Sequence, residues 1–212
     1  MSKHLKTCAL VAACFAAFTV AVHVRALVRF DVVTTTWANS IGTRPVDWLM
    51  TIATVLMAPE ISLLVLGIIC IVLWRRFGWR AAAWLFGVFT IATLVELVLK
   101  NVVHQPGPHG VIHRFMFQEG LIHFSLPYAY PSGHALRALL LAGALAFWVT
   151  PRAAVFCWAL GGLIAGSRVY LGCHWMTDVL GGALLALVSL LVVQDHIHSR
   201  GATDAQGGRV TS

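Results

Sequence analysis

Residues 153–193 read AAVFCWALGGLIAGSRVYLGCHWMTDVLGGALLALVSLLVV. Two apolar runs, about Ala153 to Leu171 and about Met176 to Val193, flank a short break, and the only charged or imidazole side chains in the stretch are Arg168, His174 and Asp178. A bilayer core of about 30 Å takes roughly 20 apolar residues in helix, which is close to the length of each run. Working outward, the same pattern recurs at about Cys8–Leu27, Trp48–Trp74, Ala81–Val103 and Pro131–Val149. The chain therefore predicts an all-α, polytopic membrane bundle of about six transmembrane helices. It forms a single domain over residues 1–198, and the polar tail 199–212 is expected to be disordered and cytoplasmic.

Composition agrees with that pattern. Of 212 residues, 59% are hydrophobic and 11% charged, against about half and about a quarter in an ordinary soluble domain. The excess excludes a soluble globular domain and a disordered chain. Cys8, Cys14, Cys70, Cys157 and Cys173 show no CxxC spacing, which argues against a disulfide framework or a zinc site. The net charge of +7 comes from Lys and Arg at the ends of apolar runs, so it reads as membrane flanks and not as a nucleic-acid face.

Lys3, Lys6, Arg75, Arg76, Arg80, Arg152, Arg200 and Arg209 fall on one side of the six spans, against Arg25, Arg29, Arg44, Lys100, Arg114 and Arg168 on the other; this imperfect bias makes the first side cytoplasmic by the positive-inside rule, with both termini. The first run is long for a signal peptide and lacks a small-x-small cleavage site, so it reads as an uncleaved anchor. On the outer side, Asp31–Asp47 reads as a surface connection with a short interfacial helix near Trp37 and Trp48. The connection from His104 to Tyr130 carries Pro106, Gly107, Pro108, Gly110, Gly120 and Pro127, which forbid a long helix.

Ionisable groups in or against membrane spans need a reason. Lys100, His134, Arg168, His174 and Asp178 all fall on the outer face by the span count. Taken singly, Lys100 and Arg168 read equally as snorkelling interface residues, and His174 with Asp178 as a helix-start pair. Together they describe a site. Lys100 and Arg168 donate without accepting, which suits an anion. Pro131-Ser132-Gly133 precedes an apolar helix, and a helix N-terminus opened by Ser and Gly cradles phosphate. His174 and Asp178 are four apart and share a helical face, so the carboxylate can fix one ring nitrogen and leave the other to attack. His134 supplies a second imidazole as general acid. A bound anion, an oriented nucleophile and a proton donor amount to phosphoryl transfer through a phosphohistidine.

Two of these elements resemble the signatures of the type 2 phosphatidic acid phosphatase superfamily. Ser167-Arg168, five residues, His174, three residues, Asp178 matches its third signature, and Pro131-Ser132-Gly133-His134 its second. The first is Lys, six residues, Arg-Pro; Lys100 and Pro108 stand at the right spacing, but Gly107 occupies the Arg position. The resemblance implies a membrane lipid phosphatase that works without a metal or other cofactor. His174 would be the nucleophile, Asp178 its orienting partner and His134 the proton donor. Lys100, Ser132, Gly133 and Arg168 would bind the phosphate.

The implied partner is a lipid phosphate in the membrane, with no nucleic acid: undecaprenyl diphosphate, phosphatidylglycerol phosphate, phosphatidic acid or a lipid A phosphate. The implied location is a bacterial inner membrane with the site on the periplasmic or outer face. Gly107 removes a donor that Arg114, His104 or His109 of the same loop is placed in sequence to replace. Its loss otherwise points to slow turnover, a changed substrate or a binding-only homologue; a lipid phosphotransferase and a non-catalytic lipid-phosphate transport homologue stand as further alternatives. His104, His109, His113 and His123 match no metal-ligand spacing. Glu96 precedes Lys100 by four and reads as its intrahelical partner; Glu60 follows Pro59 and reads as a bundle or backbone contact.

Overall fold

The computed structural model describes residues 3–117 and 128–207, with side chains over 5–117 and 128–193. Its described residues form eight helices and no strand: α1 (Lys3–His23), α2 (Val28–Ser40), α3 (Arg44–Val55), α4 (Pro59–Phe77), α5 (Trp79–Val102), α6 (Gly133–Ala146), α7 (Pro151–Tyr170) and α8 (Met176–Gly207). Each apolar run of the sequence is helical. By length and composition α1, α5, α7 and α8 each qualify as a membrane span. The run from Trp48 to Trp74 is not one straight helix. α3 and α4 meet at 58° across Leu56–Ala58, and count as a fifth span only when taken together. The cause is Pro59 at the start of α4, which cannot donate a helical N–H and holds Ala58 extended at φ −51°, ψ 146°. The sixth apolar helix, α6, has 14 residues, or about 21 Å at 1.5 Å per residue, shorter than the hydrocarbon core.

That short helix is the centre of the bundle. Leu136, Leu140, Leu141, Ala138 and Ala144 of α6 are buried with Leu66 of α4, Phe89 of α5, Ile164 of α7 and Leu185 and Leu190 of α8. Small residues set its approach to its neighbours, as they do between membrane helices. A Cβ added at Gly161 would lie 3.0 Å from Ala142 Cβ, and one at Gly182 only 2.4 Å from the Ser132 carbonyl oxygen. α8 can therefore pass the start of α6 only with glycine at 182.

The segment from Asp31 to Asp47 is not a surface connection. It is the body of α2 and the start of α3, and both helices are amphipathic in the inverted sense. Asp31, Thr35 and Asn39 on α2, and Asp47, Thr51 and Thr54 on α3, are buried, while Val32, Val33, Trp37, Trp48, Leu49 and Ile52 face outward. A polar stripe turned inward belongs against partners that need hydrogen bonds. α2 packs on α7 and α8, and α3 on α7. The backbone of α8 continues helical to Gly207, past Ser199, where the sequence predicts a disordered tail. Residues 208–212 of that tail, with Gly120, His123 and Pro127 of the outer loop, lie outside the described residues.

Candidate active site

Because α5 and α7 end where α6 and α8 begin, chain reversal alone carries Lys100, Ser132–His134, Arg168, His174 and Asp178 to one end of the bundle. Arg75 and Arg76 close α4 at the opposite end. Lys100, Ser132, His134, Arg168 and Asp178 are all buried, and the His174 side chain is 11% exposed.

The turn between α7 and α8 places the histidine. The Cys173 and His174 amides both donate to the Arg168 carbonyl, at 3.0 and 3.1 Å. Gly172 takes φ 77° within that turn, and a Cβ there would approach the Ile112 carbonyl to 2.9 Å. Asp178 lies in the first turn of α8 and its Oδ2 accepts the Trp175 amide at 2.8 Å, so the acid caps the helix that carries it. The same oxygen accepts His174 Nδ1–H at 3.3 Å. That bond selects the tautomer whose Nε2 carries the lone pair. Burial, and then the charges of Arg168, Lys100, His134 and Arg137, hold His174 well below the ordinary imidazole range, keeping the ring neutral.

Around this ring the cations are held from separate helices. Arg168 Nη1 donates to Thr54 Oγ1 at the end of α3 at 2.8 Å, and its guanidinium lies 6.0 Å from the Phe115 ring centroid. Lys100 Nζ donates to the Ala129 carbonyl at 3.1 Å and stands 3.9 Å from Glu96 Oε1, its partner one turn back. Glu96 also pairs with Arg137 of α6 at 3.2 Å. A Cβ at Gly133 would lie 2.2 Å from Glu96 Oε1, so this glycine lets α6 begin directly over the carboxylate. Ser132 caps α6 by accepting the Ala135 amide, and its own amide donates to the Asp178 carbonyl at 2.9 Å. The Tyr130–Pro131 peptide before it is cis. Burial, opposed by the bond from Thr19, pushes the Tyr130 hydroxyl up to about 12.

Among the residues at the site's edge, Arg114 is committed elsewhere. Its Nε donates to the Asn39 carbonyl at 2.9 Å, Nη1 stands 3.7 Å from Asp47 Oδ2, and Gly42 packs on its guanidinium. His104 lies edge-on to Tyr128. His109 lies edge-on to Trp175, the neighbour of His174, at 5.7 Å between ring centroids. Gly107 has open space where a Cβ would point. Among the described residues, no three His, Cys, Asp or Glu side chains gather in a set that could hold a metal ion.

Several residues at the site carry no signal in sequence spacing. Gln105 Nε2 donates to Asp178 Oδ1 at 2.8 Å and to Thr177 Oγ1 at 3.0 Å. Thr177 donates its amide and hydroxyl to the two oxygens of Asp31, at 2.8 and 2.6 Å, and the Met176 amide donates to Thr35 at 3.3 Å. The first amides of α8, which no helix can satisfy itself, thus find their acceptors on α2. Asn39 bonds Ile112 and Tyr170. The repeat Asp31, Thr35, Asn39 at intervals of four is the one trace of this arrangement in the sequence.

Comparison with known proteins gives a consistent picture. Residues 81–200 match the PAP2 superfamily. The chain is 37% identical over 112 residues to an undecaprenyl-diphosphatase of Sulfolobus acidocaldarius, a match covering 50% of this chain and 50% of that protein. It therefore spans half the length of that curated relative. Over 147 residues it is 28% identical to a putative undecaprenyl-diphosphatase of Escherichia coli, covering 69% of this chain and 73% of that one. In three dimensions it resembles a transmembrane PAP2-type phosphatidylglycerolphosphate phosphatase of Bacillus subtilis, at 25% identity and a TM-score of 0.77. That match covers 91% of this chain and 96% of the other.

Proposed function

The chain belongs to the PAP2 superfamily, and from that premise we propose that it is a lipid phosphatase working without a metal, through a phosphohistidine on His174. The observation that carries this reading is the gathering of a second imidazole, His134, and of Lys100 and Arg168 around the nearly buried His174 ring. The His174 ring there is held neutral and bonded through Nδ1 to Asp178. His174 Nε2 attacks phosphorus, and the bond from phosphorus to the leaving oxygen breaks as His134 gives that oxygen a proton. Water then attacks the phosphohistidine, His134 takes its proton, and His174 leaves neutral. Lys100, Arg168, Ser132 and the Gly133 amide hold the phosphoryl oxygens and stabilise charge that grows in both transition states.

The same reading places the protein in a bacterial inner membrane with the pocket on the periplasmic or outer face, since Arg75, Arg76, Arg80 and Arg152 lie at the other end of the helices. The substrate keeps its chains among the helices and lifts only its phosphate into the pocket. The relatives named for undecaprenyl diphosphate and for phosphatidylglycerolphosphate set the order in which to try lipids. Gly107 favours a second reading, a binding homologue with slow or no turnover. Against it, Lys100 and Arg168 are both oriented by hydrogen bonds, and His109 on Trp175 is the loop side chain best placed to supply a further donor.

The test is phosphate release by the purified protein from undecaprenyl diphosphate, phosphatidylglycerol phosphate, phosphatidic acid and a lipid A phosphate, with and without chelator. Release that survives chelator and disappears in His174→Ala and His134→Ala supports the proposal. No release from any of the four overturns it, and transfer to an added lipid acceptor would make the protein a phosphotransferase.

A further inference from the structure

We propose that Gln105 is a positioning residue for the His174–Asp178 pair, its amide held in one orientation by Asp31 through the Thr177 hydroxyl. This inference rests on the phosphatase reading and adds residues that the superfamily's signatures leave unspecified: Gln105 and Thr177 stand at variable positions within them, and Asp31 stands outside.

The direction of each bond follows from what the groups can do. Asp31 is buried on α2 and accepts two bonds from Thr177. The Thr177 hydroxyl has one hydrogen, and at 2.6 Å from Asp31 Oδ2 that hydrogen is spent on the carboxylate. Its oxygen can then only accept from the third side. Gln105 faces this oxygen and the Asp178 carboxylate together, at 3.0 and 2.8 Å. Two acceptors demand the NH2 end of the amide, so Asp31 selects which face of Gln105 meets Asp178.

The consequence for catalysis is geometric. An aspartate carboxylate rotates broadly about its last torsion. Asp178 is clamped at both oxygens, Oδ1 by Gln105 and Oδ2 by the Trp175 amide, so Oδ2 stays aimed at His174 Nδ1. The loop that brings Gln105 is itself fixed: its carbonyl accepts the Ala129 amide at 2.8 Å, and the Pro106 carbonyl accepts Trp175 Nε1–H at 2.8 Å. This loop is the one in which Gly107 stands at the superfamily's Arg position. Gln105 thus ties the segment to the nucleophile's partner two residues before that gap. It touches neither His174 nor the phosphate cradle, so its loss should weaken attack and leave substrate binding alone.

The test compares Gln105→Ala, Asp31→Asn and the double variant for kcat and KM, with His174 ring 15N shifts recorded in detergent across pH. The charged groups facing that ring are Arg168, Lys100, Arg137, His134 and Asp178, with His109 beside Trp175, and all are unchanged in these variants. Each single variant should lower kcat about tenfold with KM within twofold, and the double variant should be no worse than the poorer single. The 15N shifts should move from the Nδ1–H tautomer toward a mixture.

Gln105→Glu, nearly isosteric, covers the case in which Ala disturbs folding. It sets a carboxyl against Asp178 and should lower kcat, with the helical circular dichroism of the folded protein retained even where repulsion between the two carboxyls lowers the unfolding midpoint. Unaltered kcat in Gln105→Ala and Gln105→Glu, multiplicative losses in the double variant, or a His174 tautomer indifferent to both sites overturns the proposal. Should the wild type release no phosphate, the phosphatase reading fails, while the 15N tautomer still decides whether Gln105 and Asp31 orient the pair.

Discussion

Gly182→Ala tests the packing that brings the two halves of the pocket together. Gly182 passes the first turn of α6, where a new methyl would sit 2.4 Å from the Ser132 carbonyl oxygen, 3.1 Å from the Leu136 nitrogen and 3.2 Å from Ala135 Cβ. Two of these obstacles are backbone and cannot rotate away, so α6 and α8 must part by roughly 1 Å to regain an ordinary contact of about 3.5 Å. The displacement falls between Ser132–His134 on one helix and His174–Asp178 on the other, across the 2.9 Å bond from the Ser132 amide to the Asp178 carbonyl. Overpacking of this kind costs about 1–3 kcal/mol, or about 2–4 °C of midpoint for each kcal/mol in a chain of this size. A misplacement of about 1 Å in a reacting geometry costs about 100-fold in rate. Phosphate release and thermal unfolding should be measured in one detergent, beside Gly162→Ala and Gly166→Ala on α7, where a Cβ meets nothing within 4 Å. The controls should keep activity and gain a few tenths to about 1 kcal/mol from the stiffer chain. A Gly182→Ala protein with wild-type rate and midpoint would refute the claim that this crossing positions the site.

Gly107→Arg has room for its side chain and should raise kcat/KM for phosphate release, because a charge-assisted bond to the phosphoryl group is worth about 1.5–3 kcal/mol; an unchanged or lower value would show that the pocket is complete without it. His174 sits below its ordinary value of 6.5 in the fold, so the unfolded chain takes up its proton first. The stability it contributes is whole above pH 6.5 and is lost as pH falls from there through its lowered value, with a slope of up to about 1.4 kcal/mol per pH unit. Unfolding midpoints of the wild type and His174→Gln between pH 7.5 and about 5 should show the steeper fall in the wild type. Tyr130→Phe removes the 2.8 Å bond to Thr19 of α1 and should cost about 0.5–1.5 kcal/mol. A larger loss, read from the same melts, would mean that the hydroxyl does more than tie α1 to the bundle.

The apolar helices were legible because long apolar runs have few other uses, and the shared end of the candidate residues because spaced signatures at helix ends put them on one face. What stayed hidden depends on contacts between distant parts of the chain. Asp31 and Thr177 are 146 residues apart, and neither carries spacing that names the other. The polar content of α2 resembles that of a water-exposed loop; only the regular interval of its buried residues separates the two. Gln105 is a single amide in a loop, and nothing in the spacing of Arg137 within its apolar run names Glu96, the residue it pairs with. Pro59 was visible, but an apolar run on both sides of it suggested continuity where the chain bends. Arg114 looked available because a loop arginine shows no partner in sequence, yet Asn39 and Asp47 claim it.

The acceptors for the first amides of α8 come from α2, which precedes the stretch 81–200 matched to the superfamily. The signature-bearing half is therefore not a self-sufficient module. A truncation that begins after residue 43 would keep every signature residue and still leave the Met176 and Thr177 amides of α8 without their acceptors, and supplying α1 and α2 as a separate fragment should restore what the cut removes.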